Sequence, residues 1–207
     1  MTETSPFRLP LIAILRGITP GESAAHVGVL VEEGYDAIEI PLNSPDWEQG
    51  IANAVQAHGR DAWIGGGTVL QPAQVDTLAG IGARFIVTPN TNPAVIRHAV
   101  AAGLQVVAGF ATASEAFAAL EAGAQMLKLF PAATYGPGHV RALRAVLPKG
   151  TPLYVVGGVN PATLAGWLAS GADGAGIGGE LYRPGQAVEA TRAHARAFRQ
   201  AFAEGSA

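Results

Sequence analysis

Short apolar segments recur along this chain about every 20 to 27 residues, each followed by a longer, Ala-rich amphipathic stretch. The apolar segments are Leu11–Leu15, Ala37–Pro41, Trp63–Gly66, Phe85–Val87, Gln105–Ala108, Met126–Phe130, Leu153–Val156 and Gly174–Ile177. That interval suits a strand plus a helix, and it is too short for most helical solenoid repeats. Thr19-Pro20, Ser44-Pro45, Asn92-Pro93 and Asn160-Pro161 each place a capping side chain before a proline at a helix start. Gly34, Gly82, Gly103, Gly123 and Gly171 stand where the helices should end. Eight such units closing on themselves form a (β/α)8 TIM barrel of the α/β class, a single domain over residues 1–207. A doubly wound open sheet is the competing arrangement. No linker, low-complexity tract or shift of composition marks a second domain.

Composition narrows the classes of function. The chain is 49% hydrophobic and 14% charged, with a net charge of −3 and no basic block. Nucleic acid and anionic membrane are therefore not expected partners. There is no cysteine, which removes disulfides and thiolate metal sites. The run Leu9–Leu15 is not expected to be a leader, because Glu3 precedes it, Arg16 ends it and no small-residue cleavage site follows. No apolar stretch reaches transmembrane length. A cytoplasmic protein is the expectation.

Charge inside the strands is the next constraint. Lys128 sits in Met126-Leu127-Lys128-Leu129-Phe130, between Gly123 and Pro131. A buried ammonium is costly unless it is paired or loses its proton, and desolvation frees the amine for attack on a carbonyl. A snorkelling lysine at a strand end is the bland alternative. Strand alternation turns Ile38 and Ile40 toward the helices and Glu39 inward; it does the same for Leu127, Leu129 and the inward Lys128. Arg16 shares parity with Ile12 and Ile14, and Thr68 follows Gly65-Gly66-Gly67. Lys128 and Glu39 thus make either a buried ion pair or a catalytic pair, and such ion pairs seldom stabilise a fold. The three glycines either save space in a turn or let a ligand approach the backbone.

Glycine pairs end the last two strands: Gly157-Gly158 after the seventh and Gly178-Gly179 after the eighth. Loops in those positions commonly bind phosphate in barrels, using backbone N–H groups and a helix end. Glu180 is unfavourable there unless it turns to solvent. His26, His58, His98, His139 and His194 all fall on expected helices or their starts and show no ligand spacing, so no metal is expected. No Walker sequence or dinucleotide fingerprint is present, and no cofactor is expected.

Five motifs occur in order: Glu39-Ile40-Pro41-Leu42-Asn43-Ser44, Gly66-Gly67-Thr68-Val69, Thr88-Pro89-Asn90, Lys128-Leu129-Phe130-Pro131 and Val156-Gly157-Gly158-Val159. Together they resemble the class I 2-keto-3-deoxy-6-phosphogluconate and -galactonate aldolases, from Leu9 to Arg183. The opening Leu11-Ile12-Ala13-Ile14-Leu15-Arg16 and the closing Leu181-Tyr182-Arg183-Pro184-Gly185-Gln186 match particularly well. The resemblance implies a homotrimer of barrels that cleaves a phosphorylated keto-deoxy sugar acid to pyruvate and glyceraldehyde 3-phosphate. It implies Lys128 as the Schiff-base lysine and Glu39 as the proton carrier. Arg16 and Thr68, with the Gly66-Gly67 backbone, would hold the pyruvyl carboxylate. Pro89 and Phe130 would wall the site, and Gly157, Gly158, Gly178 and Gly179 would bind the phosphate.

The chain departs from the family in two ways. Gly179 stands where serine is usual, which removes a hydroxyl and implies weaker phosphate affinity rather than lost activity. Pro41-Leu42-Asn43-Ser44 replaces the Thr-Leu-Arg-Thr of the gluconate branch, and Val156 replaces its threonine. Both favour the galactonate branch, with gluconate or mixed specificity as the alternative, since one hydroxyl epimer is a small discrimination. More distant alternatives are a metal-independent phosphate-binding epimerase or synthase, and a silent sugar-phosphate binding barrel.

Overall fold

The computed structural model describes residues 5–205. Glu3, used above in rejecting a leader, lies outside them. The elements alternate from end to end: β1 (Leu11–Ile14), α1 (Pro20–Glu32), β2 (Ala37–Pro41), α2 (Trp47–His58), β3 (Trp63–Gly67), α3 (Pro72–Ile81), β4 (Phe85–Val87), α4 (Pro93–Ala101), β5 (Gln105–Phe110), α5 (Ala113–Glu121), β6 (Met126–Leu129), α6 (Ala132–Arg144), β7 (Leu153–Val156), α7 (Pro161–Ala169), β8 (Gly174–Ile177) and α8 (Val188–Gly205). The strands form one closed parallel barrel in sequence order, β8 pairing with β1, so the open sheet is excluded. Among the described residues, no helix is long and apolar enough to cross a membrane.

Alternation along the strands separates two cores. Ile38, Ile40, Leu127 and Leu129 pack under the helices in one continuous apolar cluster. Ile12, Ala37, Phe85, Val87, Val107, Met126 and Tyr154 fill the barrel itself with Phe7. Phe7 packs edge-on against Trp63, Phe85 and Tyr154, with centroids 6.0, 5.4 and 6.3 Å apart. It comes from the segment before β1, so this aromatic cluster closes the N-terminal end of the barrel. Asp36 fastens that segment by accepting from the backbone N–H groups of Arg8 (2.8 Å) and Leu9 (3.2 Å).

Most helix boundaries follow the capping chemistry. Thr19, Asn92 and Asn160 are N-caps before prolines, and the five helix-ending glycines all have φ between 78 and 103°. Ser44 is the exception. α2 begins only at Trp47, with Asp46 as N-cap in the left-handed region. The Ser44 hydroxyl instead accepts from the backbone N–H of Gly17, 2.8 Å away. A bond to a neighbouring loop has displaced the local cap.

Candidate active site

The C-terminal ends of the strands carry the candidate residues. Glu39 is the middle residue of β2, in register with Ile14 on one side and Gly65 on the other. Lys128 lies in β6 between Gly109 and Tyr154. Both side chains point into the barrel, 2% and 6% exposed respectively. The snorkelling alternative for Lys128 is thereby excluded. Its ammonium nitrogen lies 5.0 Å from the centre of the Phe130 ring, which forms one wall.

Burial is the dominant influence on both groups. It pushes Lys128 below the ordinary lysine range and Glu39 above the ordinary carboxylate range. Each opposes the other's shift by its opposite charge, while Arg16 repels the ammonium and favours the carboxylate. The three charges therefore act on one another within one space. Glu39 Oε2 is buried with no hydrogen-bond partner among the described residues. An orphaned carboxylate oxygen of this kind is costly to a fold and is free to receive a proton or a water.

The triple glycine is explained by packing on three sides. A Cβ on Gly65 would meet the Phe85 ring at 2.5 Å, and one on Gly66 would meet both Leu78 methyls at 2.7 Å. A Cβ on Gly67 would stand 2.8 Å from the carboxyl carbon and Oε1 of Glu39. The glycines save space at all three positions, but within β3, which runs through Gly67, and not in a turn as the sequence suggests. Immediately after them Thr68 is held at φ 59°, a conformation unfavourable for a β-branched residue.

Arg16 lies beyond the end of β1, exposed, and donates from Nη1 to Asn43 Oδ1 at 2.6 Å. Thr88, at the end of β4, donates to the Asn90 carbonyl (2.7 Å) and accepts from the Gly109 N–H (2.9 Å). That fixes Pro89 beside Gly109, the strand neighbour of Lys128.

A hollow of about 300 Å³ opens at this end. It is lined by Ile14, Arg16, Phe130, Val156, both glycine pairs, Val159, Gly176 and Glu180. Gly157 and Gly158 have φ of 100 and 76°, and a Cβ on Gly158 would strike Ala133 at 2.6 Å. Gly178 opens a single helical turn, its carbonyl accepting from the N–H groups of Leu181 (2.8 Å) and Tyr182 (3.0 Å). The Glu180 side chain, at the rim of the hollow, is more than half exposed and reaches Arg183 at 3.8 Å.

Six expected residues therefore share one hollow: Arg16, Phe130 and the four glycines. Lys128 and Glu39 project from within their strands, coupled to each other and to Arg16. Thr68 and Pro89 stand at the ends of β3 and β4 and do not line the hollow. Sequence reasoning assigned no partner to Arg16; the departure at Asn43 was the available signal. The five histidines all lie on helices, on α1, α2, α4, α6 and α8. Among the described residues, no group of three or more His, Cys, Asp or Glu is placed to hold a metal ion.

Comparison with known proteins adds an independent line. The family described as "KDPG and KHG aldolase" matches residues 7–195. A 2-dehydro-3-deoxy-6-phosphogalactonate aldolase of Escherichia coli (strain K12) is 57% identical over 95% of this chain and 96% of its own. A probable 2-dehydro-3-deoxy-6-phosphogalactonate aldolase of Rhizobium meliloti (strain 1021) is 46% identical over 95% of this chain and 93% of its own. A solved structure described as native KDPGal superposes with a TM-score of 0.97 at 55% identity, covering 99% of both chains.

Proposed function

The chain belongs to the KDPG and KHG aldolase family, and from that premise we propose that it is a class I aldolase, a carbon–carbon lyase of D-galactonate catabolism. Its substrate is 2-dehydro-3-deoxy-6-phospho-D-galactonate, and its products are pyruvate and D-glyceraldehyde 3-phosphate. The observation that carries this reading is Lys128, a desolvated lysine facing an equally buried carboxylate inside the barrel.

The neutral Lys128 amine adds to the C2 carbonyl; a proton taken up from solvent lets the carbinolamine hydroxyl leave as water and gives a protonated iminium, and that proton is given back when the iminium is hydrolysed. Glu39, acting through water, accepts the proton of the C4 hydroxyl. The C3–C4 bond then breaks, its electron pair passing into the iminium to leave an enamine, and the aldehyde departs. Glu39 returns the proton to C3, and water hydrolyses the iminium to release pyruvate and the free amine. Protons and electrons balance with no external oxidant or reductant.

Arg16 and Thr68, with the Gly66-Gly67 backbone, hold the carboxylate of the pyruvyl half. Phe130 and Pro89 keep water from the amine. Gly157, Gly158, Gly178 and Gly179 offer the phosphate a cradle at the far side of the hollow. Two close relatives named for the phosphogalactonate substrate, together with Asn43 and Val156, support that epimer. The gluconate epimer, or mixed specificity, is the second reading. A homotrimer working in the cytoplasm completes the proposal. Leu70, Phe117 and Tyr135, all exposed, supply apolar surface for subunit contact.

Intact-protein mass after incubation with pyruvate and borohydride tests the reading. One reduced pyruvyl adduct, insensitive to EDTA and absent in Lys128→Ala, is expected. A folded wild-type protein that gives no adduct would remove Lys128 as nucleophile. Comparing kcat/KM for the two C4 epimers then decides the substrate.

A further inference from the structure

The turn that carries Gly178 and Gly179 is a thin wall between two hollows. The active hollow lies in front, lined by Gly178, Gly179 and Glu180. Behind it is a second hollow of about 370 Å³, lined by Gly179 and Glu180 again, with Arg183, Gln186, His194 and Phe198. A Cβ on Gly178 or Gly179 would meet nothing within 4 Å. Leu181 and Tyr182, both buried, pack the far end of the turn, while the glycine end has no side chain to pack and depends on hydrogen bonds for its shape.

The Gly178 carbonyl accepts from the Leu181 and Tyr182 N–H groups and the Gly179 carbonyl from Arg183 Nε at 3.0 Å, and Leu181 and Arg183 are in turn both held by Gln186. Its Oε1 accepts from the Arg183 N–H at 3.0 Å, and its Nε2 donates to the Leu181 carbonyl at 2.9 Å. The same Nε2 donates to Thr191 Oγ1 on α8 at 2.7 Å. Thr191 is fully buried and lies 2.8 Å from His26 Nδ1 on α1, and His26 packs edge-on against Tyr182 at 5.0 Å. One amide thus closes the segment from Leu181 to Gln186 on itself and fastens it to α8, where Thr191 passes the link on to His26 of α1. His194 Nδ1 also reaches the Leu181 carbonyl (3.1 Å), but it makes no bond to the Arg183 N–H.

We infer that Gln186 is a positioning residue for the phosphate: it never touches the substrate, and it holds the glycine turn in the shape that receives the anion. The inference rests on the phosphate cradle proposed above. Without the Gln186 bonds a bound phosphate would have to order the glycine end of the turn, and that cost appears as weaker binding.

The test compares wild type with Gln186→Ala on the phosphorylated substrate and on the same keto-deoxy acid without phosphate. We expect KM for the phosphorylated substrate to rise about tenfold, as loss of two or three hydrogen bonds allows, with kcat within about twofold. The kcat/KM for the unphosphorylated acid and the rate of borohydride trapping with pyruvate should stay at wild-type values. Thr191→Val, which removes one anchor from a near-isosteric site, should give a smaller rise of the same kind, and it serves if Gln186→Ala misfolds. Equal changes with both substrates, or no change with either, would overturn the role of Gln186. A wild-type enzyme that shows no preference for the phosphorylated acid would instead refute the cradle itself.

Discussion

Gly67→Ala isolates the geometric demand on Glu39. The added methyl would stand 2.8 Å from the Glu39 carboxyl carbon and Oε1, and 3.0 Å from Oε2. Nonbonded carbon atoms rest at about 3.5–4.0 Å, so the carboxyl group must retreat by about 1 Å. A misplacement of that size at a reacting group costs on the order of a hundredfold in rate. Overpacking of one methyl costs about 1–3 kcal/mol of stability, which a barrel of this size survives. We therefore expect a folded variant with kcat down about a hundredfold and a much smaller change in KM. Deuterium exchange into the methyl group of pyruvate, followed by NMR, should slow in parallel, because it reads proton transfer at the pyruvyl carbon alone. Gly66→Ala is the comparison: its methyl would press on Leu78 and Leu42, away from Glu39, so its cost should fall on stability and, through the carboxylate-holding backbone, on KM, and not on kcat. A folded Gly67→Ala enzyme with kcat within threefold of wild type would refute the positional argument, as would equal losses in both variants.

Asn43→Ala removes the partner of the Arg16 guanidinium; KM for pyruvate in the condensation direction should rise about fivefold, with kcat less affected, as a steady-state titration would show. Gly179→Ser should tighten binding of the phosphorylated substrate a few-fold and leave the unphosphorylated acid unchanged, since a side chain there meets nothing within 4 Å. The rate of borohydride trapping with pyruvate should increase with pH through a midpoint well below the ordinary lysine value of 10.5, because burial depresses Lys128 and only the neutral amine attacks. Glu39 holds that midpoint up, so Glu39→Gln should move it further down; an upward movement contradicts the electrostatic reading. The linked stability follows the same signs. Between the depressed Lys128 value and 10.5 the unfolded chain holds more protons than the folded one, so burial of this lysine destabilises less as pH rises. Glu39 acts oppositely: above 4.5 and up to its raised value the folded chain holds more protons, and stability falls as pH rises.

Local periodicity carried the barrel because each βα unit announces itself over a few residues: an apolar run, a cap with proline, a terminal glycine. It also carried the direction of Lys128 and Glu39, since strand parity is a property of neighbours. What the sequence withheld are contacts made across distance. Ser44 reads as a cap, yet its hydroxyl serves Gly17, 27 positions away in sequence. Asn43 is an ordinary loop residue until β1 and β2 stand side by side and Arg16 reaches it. Gly67 carries no mark of the carboxylate it must avoid. Gln186 was visible only as part of a motif, and its importance depends on a hollow behind it that no local pattern encodes.

The aromatic floor at Phe7, Trp63, Phe85 and Tyr154 gives the barrel a single mouth. Carbon–carbon cleavage leaves its two fragments stacked along that one exit. On the proposed Schiff-base route the pyruvyl fragment stays bonded to the deep Lys128, and the aldehyde is the outer fragment, toward the glycine turns. Release is therefore ordered by architecture, aldehyde first and pyruvate last. Run in reverse, the same blind-ended vessel must be loaded with pyruvate before it can accept an aldehyde. Inhibition patterns should bear that asymmetry, with pyruvate competing against the intact substrate and the aldehyde phosphate meeting an already occupied lysine.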